Sequence, residues 1–200
     1  GFAPSLAVRA RRAKRRGVHG SRPGARTFPA QQIKEDEMSN LSDLKDLFEH
    51  TLGDVLYAER RIERALPRMK EQARSEDLAR AFDEHHRETE GQIQRLETVF
   101  DEVGLQPRAV KCEAILGILE EAEEMTAETD PGDVRDAAIL AAAQAVEHYE
   151  ITRYGTLATW ARRLGHEKAA RLLEETLEQE KAADRKLSDI ATSGINRAAA

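Results

Sequence analysis

The chain has 200 residues, 40% of them hydrophobic and 34% charged, with a formal net charge of −6 and one cysteine. That is enough apolar material for one domain with a sizeable core, and no uninterrupted apolar run approaches membrane-spanning length. The lone Cys112 rules out an internal disulfide, argues against a zinc-thiolate site and suits a reducing compartment, while aromatics at 4% and abundant Ala, Leu, Glu and Arg predict an all-α protein.

Charge marks the first boundary. Residues 1–37 carry a net +6, so residues 38–200 carry −12. The segment 1–37 has Pro and Gly, little apolar content and no secretory h-region, and reads as a disordered basic extension. It is a non-native extension upstream of a start at Met38, a targeting segment, or an arm for nucleic acid or another acidic surface. The ordered-looking sequence directly after Met38 favours the first. Nucleic acid enters the reading only through this tail.

From Ser42 the pattern is helical. Ser42 is the expected cap of a first helix with the stripe Leu44, Phe48, Leu52, Val55, Glu59, Ile62, Leu66, whose last turns Pro67 should bend. Ser75, Glu76 and Asp77 open a second helix with the stripe Leu78, Phe82, His85, Thr89, Gln92, Leu96, Val99, Val103, stopped near Gly104. A shorter helix over about Lys111 to Glu128 reads as a crossover, with Glu120, Glu121, Glu123 and Glu124 as its solvated face, and Asp130-Pro131-Gly132 ends it. A long helix from about Asp133 to Leu164 and a last one beyond Gly165, with Leu173, Leu177, Glu180, Asp184, Leu187 and Ala191, complete a bundle expected over 38–195, with a flexible end at 196–200.

The fourth helix is anomalous. Its inward stripe, Leu140, Ala143, Ile151, Tyr154 and Leu157, also carries Glu147 and Glu150, and a buried anion costs several kcal/mol, roughly, unless a cation or proton answers it. Counted from the turns near Ser75 and Gly165, Glu59, Glu88, Glu150 and Glu180 lie at nearly equal depth, roughly 20–24 Å along their helices at 1.5 Å per residue. Glu59, His85, Glu88, Glu147, Glu150, Glu180 and Asp184 should therefore converge at mid-bundle. Taken singly, such a glutamate is more often an edge or salt-bridged residue. Four helices together, with no Lys or Arg on the stripes, point instead to a metal pair, and a carboxylate-rich, imidazole-poor donor set suits iron or manganese.

The runs Thr51-Leu-Gly-Asp-Val-Leu-Tyr-Ala-Glu59, Ala81-Phe-Asp-Glu-His85-His-Arg-Glu88-Thr-Glu-Gly-Gln92-Ile, Lys111-Cys-Glu-Ala and Val146-Glu-His-Tyr-Glu-Ile-Thr-Arg-Tyr-Gly-Thr-Leu resemble the YciF/YciE family of bacterial ferritin-like stress proteins. The resemblance covers about 41–195. It implies an all-α, ferritin-like four-helix bundle with an extra crossover helix, similar to rubrerythrin, cytoplasmic, dimeric and holding a di-iron centre. Glu59 matches the first-helix ligand. On the second helix Glu88 matches, but Gly91 stands where the usual ferritin-like pattern has His, and His85 lies one turn earlier, either replacing that imidazole or serving as a satisfied core histidine. Glu147-x-x-Glu150 resembles the doubled glutamate of rubrerythrin-like peroxide-reducing sites. The last helix has Glu180, with Ala183 at the usual His position and Asp184 beside it.

Tyr154, His148 and Gln92 are candidate hydrogen-bond supports for those ligands, and His86 and His166 read as surface groups. No phosphate loop, Ser-His-Asp grouping or four-cysteine module is found, so electrons would come from an external donor. The expected function is a di-metal protein of oxidative or general stress that reduces peroxide or handles iron, with an enzymatic role left open. The alternative is a helical scaffold or protein-interaction module with a structural metal or none. Ile139, Leu172 and Ile190, apolar positions beside the main stripes, are the residues expected to pair two copies.

Overall fold

The computed structural model describes residues 41–200; the expectations for 1–37 lie outside the described residues. Five helices carry the fold: α1 Leu44–Gln72, α2 Glu76–Glu102, α3 Glu113–Ala127, α4 Asp133–Arg163 and α5 Glu167–Ile190, the last running on through a π-helical turn, Ala191–Ile195, into the short α6, Asn196–Ala198. No strand occurs among the described residues.

The ends follow local chemistry. Asp43, not Ser42, caps α1: its carboxylate accepts from the Asp46 amide at 2.8 Å, while the Ser42 amide and hydroxyl donate back to Asp46 Oδ2 at 3.0 and 2.7 Å. The helix runs on past Pro67 to Gln72. Ser75 caps α2 as expected, accepting from Leu78 at 3.4 Å. Gly165, at φ +84°, reverses the chain between α4 and α5, a conformation that a Cβ disfavours.

Helices α1 and α2 form one hairpin and α4 and α5 the other. Contacts of α2 with α5 and of α1 with α4 close the four-helix ring, while α3 crosses outside it against α4 and α1. The chain is thus a ferritin-like bundle with one long crossover. Its hydrocarbon core falls into two clusters, one around Leu66, Phe82, Ile115, Leu140 and Leu187, the other around Phe48, Leu56, Leu96, Phe100, Leu157 and Leu173. On each helix of the ring the acidic or imidazole residue lies between members of the two, so a polar layer separates them. Ile139 is buried in the first cluster and Ile190 packs against it, while Leu172 packs against the second, so the apolar positions expected to pair two copies serve the chain's own core.

The loop after α2 is tied back onto α1, where the Val110 amide donates to the Gly53 carbonyl at 2.9 Å. A Cβ on Gly53 would lie 2.7 Å from both the Arg108 carbonyl oxygen and Val110 Cγ2. Backbone cannot swing aside as a flexible side chain can. Gly53→Ala should therefore cost about 1–3 kcal/mol, read as a lower urea midpoint with an unchanged m-value; an unshifted midpoint would show that this loop is loosely held.

Candidate metal centre

Each helix of the ring brings its polar residue inward because the flanking turns bury apolar side chains on the same face. Glu59 and Glu180 have no exposed surface, Glu150 is 1% exposed and Glu147 2%, and His85 is buried beside them. His85 Nε2 lies 3.3 Å from Glu147 Oε1 and 4.0 Å from Glu180 Oε2. One donor atom from each of His85, Glu147, Glu150 and Glu180 fits within a mutual separation of 4.8 Å. Tyr154, fully buried, donates its hydroxyl to Glu59 Oε1.

No Lys or Arg among the described residues pairs with these four glutamates; His85 is their one cationic neighbour. Arg95 comes nearby but spends its guanidinium on Thr176 Oγ1 and Gln179 Oε1, both at 2.9 Å, and on Glu175. Glu59 Oε2, Glu147 Oε2, both oxygens of Glu150, both of Glu180 and both ring nitrogens of His85 are buried without a hydrogen-bond partner. Orphaned groups in such number require an explanation.

Without a metal, protons supply part of it. Burial lifts Glu59 to about 7, against the opposing hydrogen bond from Tyr154. Burial lifts Glu150 and Glu180 well above the ordinary carboxyl range, with neighbouring carboxylates adding to the rise, and lifts Glu147 against the opposing charge of His85. His85 is raised in spite of its burial, because Glu147, Glu88 and Glu59 favour the imidazolium. In the metal-free chain, burial and mutual repulsion thus favour protonated carboxyls, and the carboxylates around His85 favour its imidazolium.

Four of the seven residues singled out as ligands, His85, Glu147, Glu150 and Glu180, thus bring donor atoms together in the core, and a fifth, Glu59, is buried near them with Oε1 held by Tyr154. The other two occupy its rim. Glu88 is half-exposed, at 46%, with Oε2 3.7 Å from His85 Nδ1. Asp184 is partly buried and lies 3.3 Å from His148 Nε2, on an exposed imidazole that touches the rim and not the buried glutamates. Among the supports, Tyr154 contacts a carboxylate, whereas Gln92 Nε2 donates to Gln179 at 3.4 Å. The Arg95–Thr176–Gln179 network lies outside the sequence expectations. Arg95 lies off the apolar stripe and reaches back to α5, and no spacing in the sequence announces that.

A crossover bundle with buried carboxylates and one imidazole across all four helices of the ring is the class of protein whose interior can take a metal. Residues 43–200 match the family described as a domain of unknown function, DUF892. The chain belongs to that family, and within it to the YciF-like stress proteins. It is 48% identical over 161 residues to protein YciF of Escherichia coli (strain K12), covering 80% of this chain and 97% of that one. The crystal structure of the E. coli stress protein YciF matches with a TM-score of 0.75 at 47% identity, over 78% of this chain and 99% of that one. YcfI of Rhodopseudomonas palustris, described as a candidate structural protein, matches with a TM-score of 0.74 at 48% identity, over 76% and 96%. No described helix is long and apolar enough to cross a membrane.

Proposed function

We propose that this chain binds a pair of iron or manganese ions and acts in the bacterial stress response by reducing peroxide. The observation that supports this most is the set of buried, unpartnered carboxylate oxygens and imidazole nitrogens with no Lys or Arg among the described residues to answer them. Glu59, His85, Glu147, Glu150 and Glu180 would hold the ions, and Glu88 and Asp184 at the rim are near enough to be recruited. Oxygen donors with a single imidazole suit iron or manganese better than zinc. When bound, an iron or manganese pair would supply the redox chemistry for reducing a peroxide, with its electrons restored by an external donor.

The chain's own residues set the conditions for that chemistry. Tyr154 fixes the orientation of Glu59 through its hydroxyl. The two apolar clusters keep bulk water from both sides of the layer. His85, in contact with Glu147 and Glu88, is placed to hold a proton at the edge of the site.

The test is metal counting on protein purified without chelator and then offered Fe(II) or Mn(II), followed by the absorbance change when peroxide meets the ferrous form. About two ions per chain and prompt oxidation are expected; less than one ion under saturating metal would overturn the proposal. The description of the R. palustris relative favours a second reading, a helical scaffold. Metal binding without peroxide reactivity would support that reading. Tyr154→Phe should lower metal affinity about tenfold, measured by chelator competition, because Glu59 loses the bond that orients it; unchanged affinity would remove Glu59 from the ligand set.

A further inference from the structure

Where the crossover helix α3 lies against α1 and α4, the three helices enclose a groove of about 330 Å³. Met69, Leu119 and Ile139 give it a hydrocarbon lining, the last two of them buried. Its charged residues are nearly all of one sign. Arg61, Arg64 and Arg68 recur at helical spacing on α1, so they stand along one face, and Arg135 reaches the groove from the first turn of α4. Among the described residues Glu123 is the one carboxylate that lines the groove with them. Its contact with Arg68, 3.5 Å long and exposed on both sides, contributes little, and Arg61 and Arg64 have no acidic partner among the described residues. Arg135 donates Nη2 to the Thr129 carbonyl, while its Nε is buried without a hydrogen-bond partner. None of these side chains belongs to the metal centre.

We propose that this groove binds a free alkyl carboxylate of about eight carbons, its chain along the hydrocarbon lining and its carboxylate among the four guanidiniums. Arginines in one row repel one another, and an anion held between them removes that cost. A guanidinium is always charged and presents paired N–H donors that match the two oxygens of a carboxylate. The surroundings select a small anion over a large one. Residues 38–200 carry −12, so a nucleic acid or an anionic bilayer that touched the arginines would also meet the exposed Glu120, Glu121 and Glu124 of α3. A monoanion that fits within the groove avoids that repulsion. The volume lies at the lower end of the roughly 300–1,000 Å³ of small-molecule sites, and each methylene fully buried on the lining strengthens binding about fourfold. The inference goes beyond the metal centre and does not depend on it.

The experiment is calorimetric titration of the full-length chain, in a fixed metal state, with octanoate below its micellar concentration. Octan-1-ol and acetate serve as probes of the chain alone and the head alone. The titrations are repeated on Arg61→Gln/Arg64→Gln, which removes two exposed charges and leaves the core untouched, and on Ala122→Leu, which fills the groove from α3. Circular dichroism confirms that each variant is folded. Octanoate is expected to saturate a single site per chain, with octanol and acetate at least about tenfold weaker and each folded variant about tenfold weaker for octanoate. The proposal is overturned by the absence of saturable octanoate binding, or by octanol or acetate binding as well as octanoate. Undiminished octanoate binding in a folded variant overturns it too, because the ligand then sits elsewhere, the basic segment 1–37 included. If Ala122→Leu does not fold, the arginine variant decides alone. Two rival occupants have their own signatures. Sedimentation with phosphatidylglycerol vesicles that is lost in the arginine variant, without octanoate binding, would make a membrane surface the occupant. An oligomer that dissociates in the arginine variant by light scattering, without octanoate binding, would make a second copy the occupant. Either result overturns the proposal.

Discussion

Metal-free protein carrying Glu150→Gln is expected to be as stable as metal-free wild type at pH 8 or more stable, by about 1–2 kcal/mol, while its metal content collapses. Glu150 is buried with both oxygens unpartnered, among Glu59, Glu147 and Glu180. Its burial and those neighbours raise its proton affinity far above that of an unfolded chain, and the same holds for Glu180, Glu147 and, at about 7, Glu59. A carboxyl whose folded pKa is raised contributes most below its unfolded value, and the contribution is lost as pH rises through the folded one. His85, also raised, acts in the same direction. The metal-free wild type should therefore lose stability steadily from about pH 5 to 8, when the unfolded chain releases protons that the folded one retains. The glutamine has nearly the same volume and removes one of the interacting acids, so the pH slope should be shallower. Denaturant unfolding of both proteins at pH 5 and 8, with metal counted per chain, gives the answer. A mutant that retains its metal and unfolds more easily at both values would show Glu150 to be one half of a salt bridge.

The second large effect lies far from the acidic layer. Asp136, in the first turn of α4 and 3% exposed, accepts from the Arg74 and Ser75 amides, each at 2.8 Å. These two residues form the turn between α1 and α2, so one carboxylate ties the start of the second hairpin to the loop of the first. Arg74 adds an exposed contact to Asp133 at 3.4 Å, which counts for little. Asp136→Ala should cost about 2–4 kcal/mol, because two charge-assisted bonds disappear and two amides lose their acceptor. Asp136→Asn should recover part of that, since one amide oxygen remains to accept while the NH2 group cannot. Thermal unfolding of the two variants in a fixed metal state measures the order. Equal loss in both would indicate that packing, and not acceptance, is the role of this side chain.

Much of this architecture is legible in the chain. The 3.6-residue stripes place α1, α2, α4 and α5 within a few residues of their observed ends, since each stripe is broken by a cap or by a residue that takes positive φ. Equal depth from the two turns is enough to bring Glu59, Glu150 and Glu180 to one level, and helical spacing on α4 adds Glu147. Glu88 shows the limit of depth as a guide. Its level is right, but the buried line on α2 runs through His85, Thr89 and Gln92, and Glu88 stands beside that line. Ser42 and Ile139 fail for related reasons. Adjacent Ser and Asp compete for one cap, and an apolar residue beside a stripe finds neighbours on another helix.

The sequence by itself determined the helices, their turns, the acid content of their inner faces and the family. These are consequences of periodicity and local hydrogen bonding, which act over a few residues. The tertiary structure alone decided which acids lose their water, that no Lys or Arg among the described residues pairs with them, that Tyr154 meets Glu59 across the bundle, and that Asp136 clamps a distant turn. Each of these depends on the rotation of one helix relative to another and on the gap between them. Burial and Coulomb interactions are set by whatever lies within a few ångströms, and in a bundle those neighbours come from segments up to a hundred residues away in the chain.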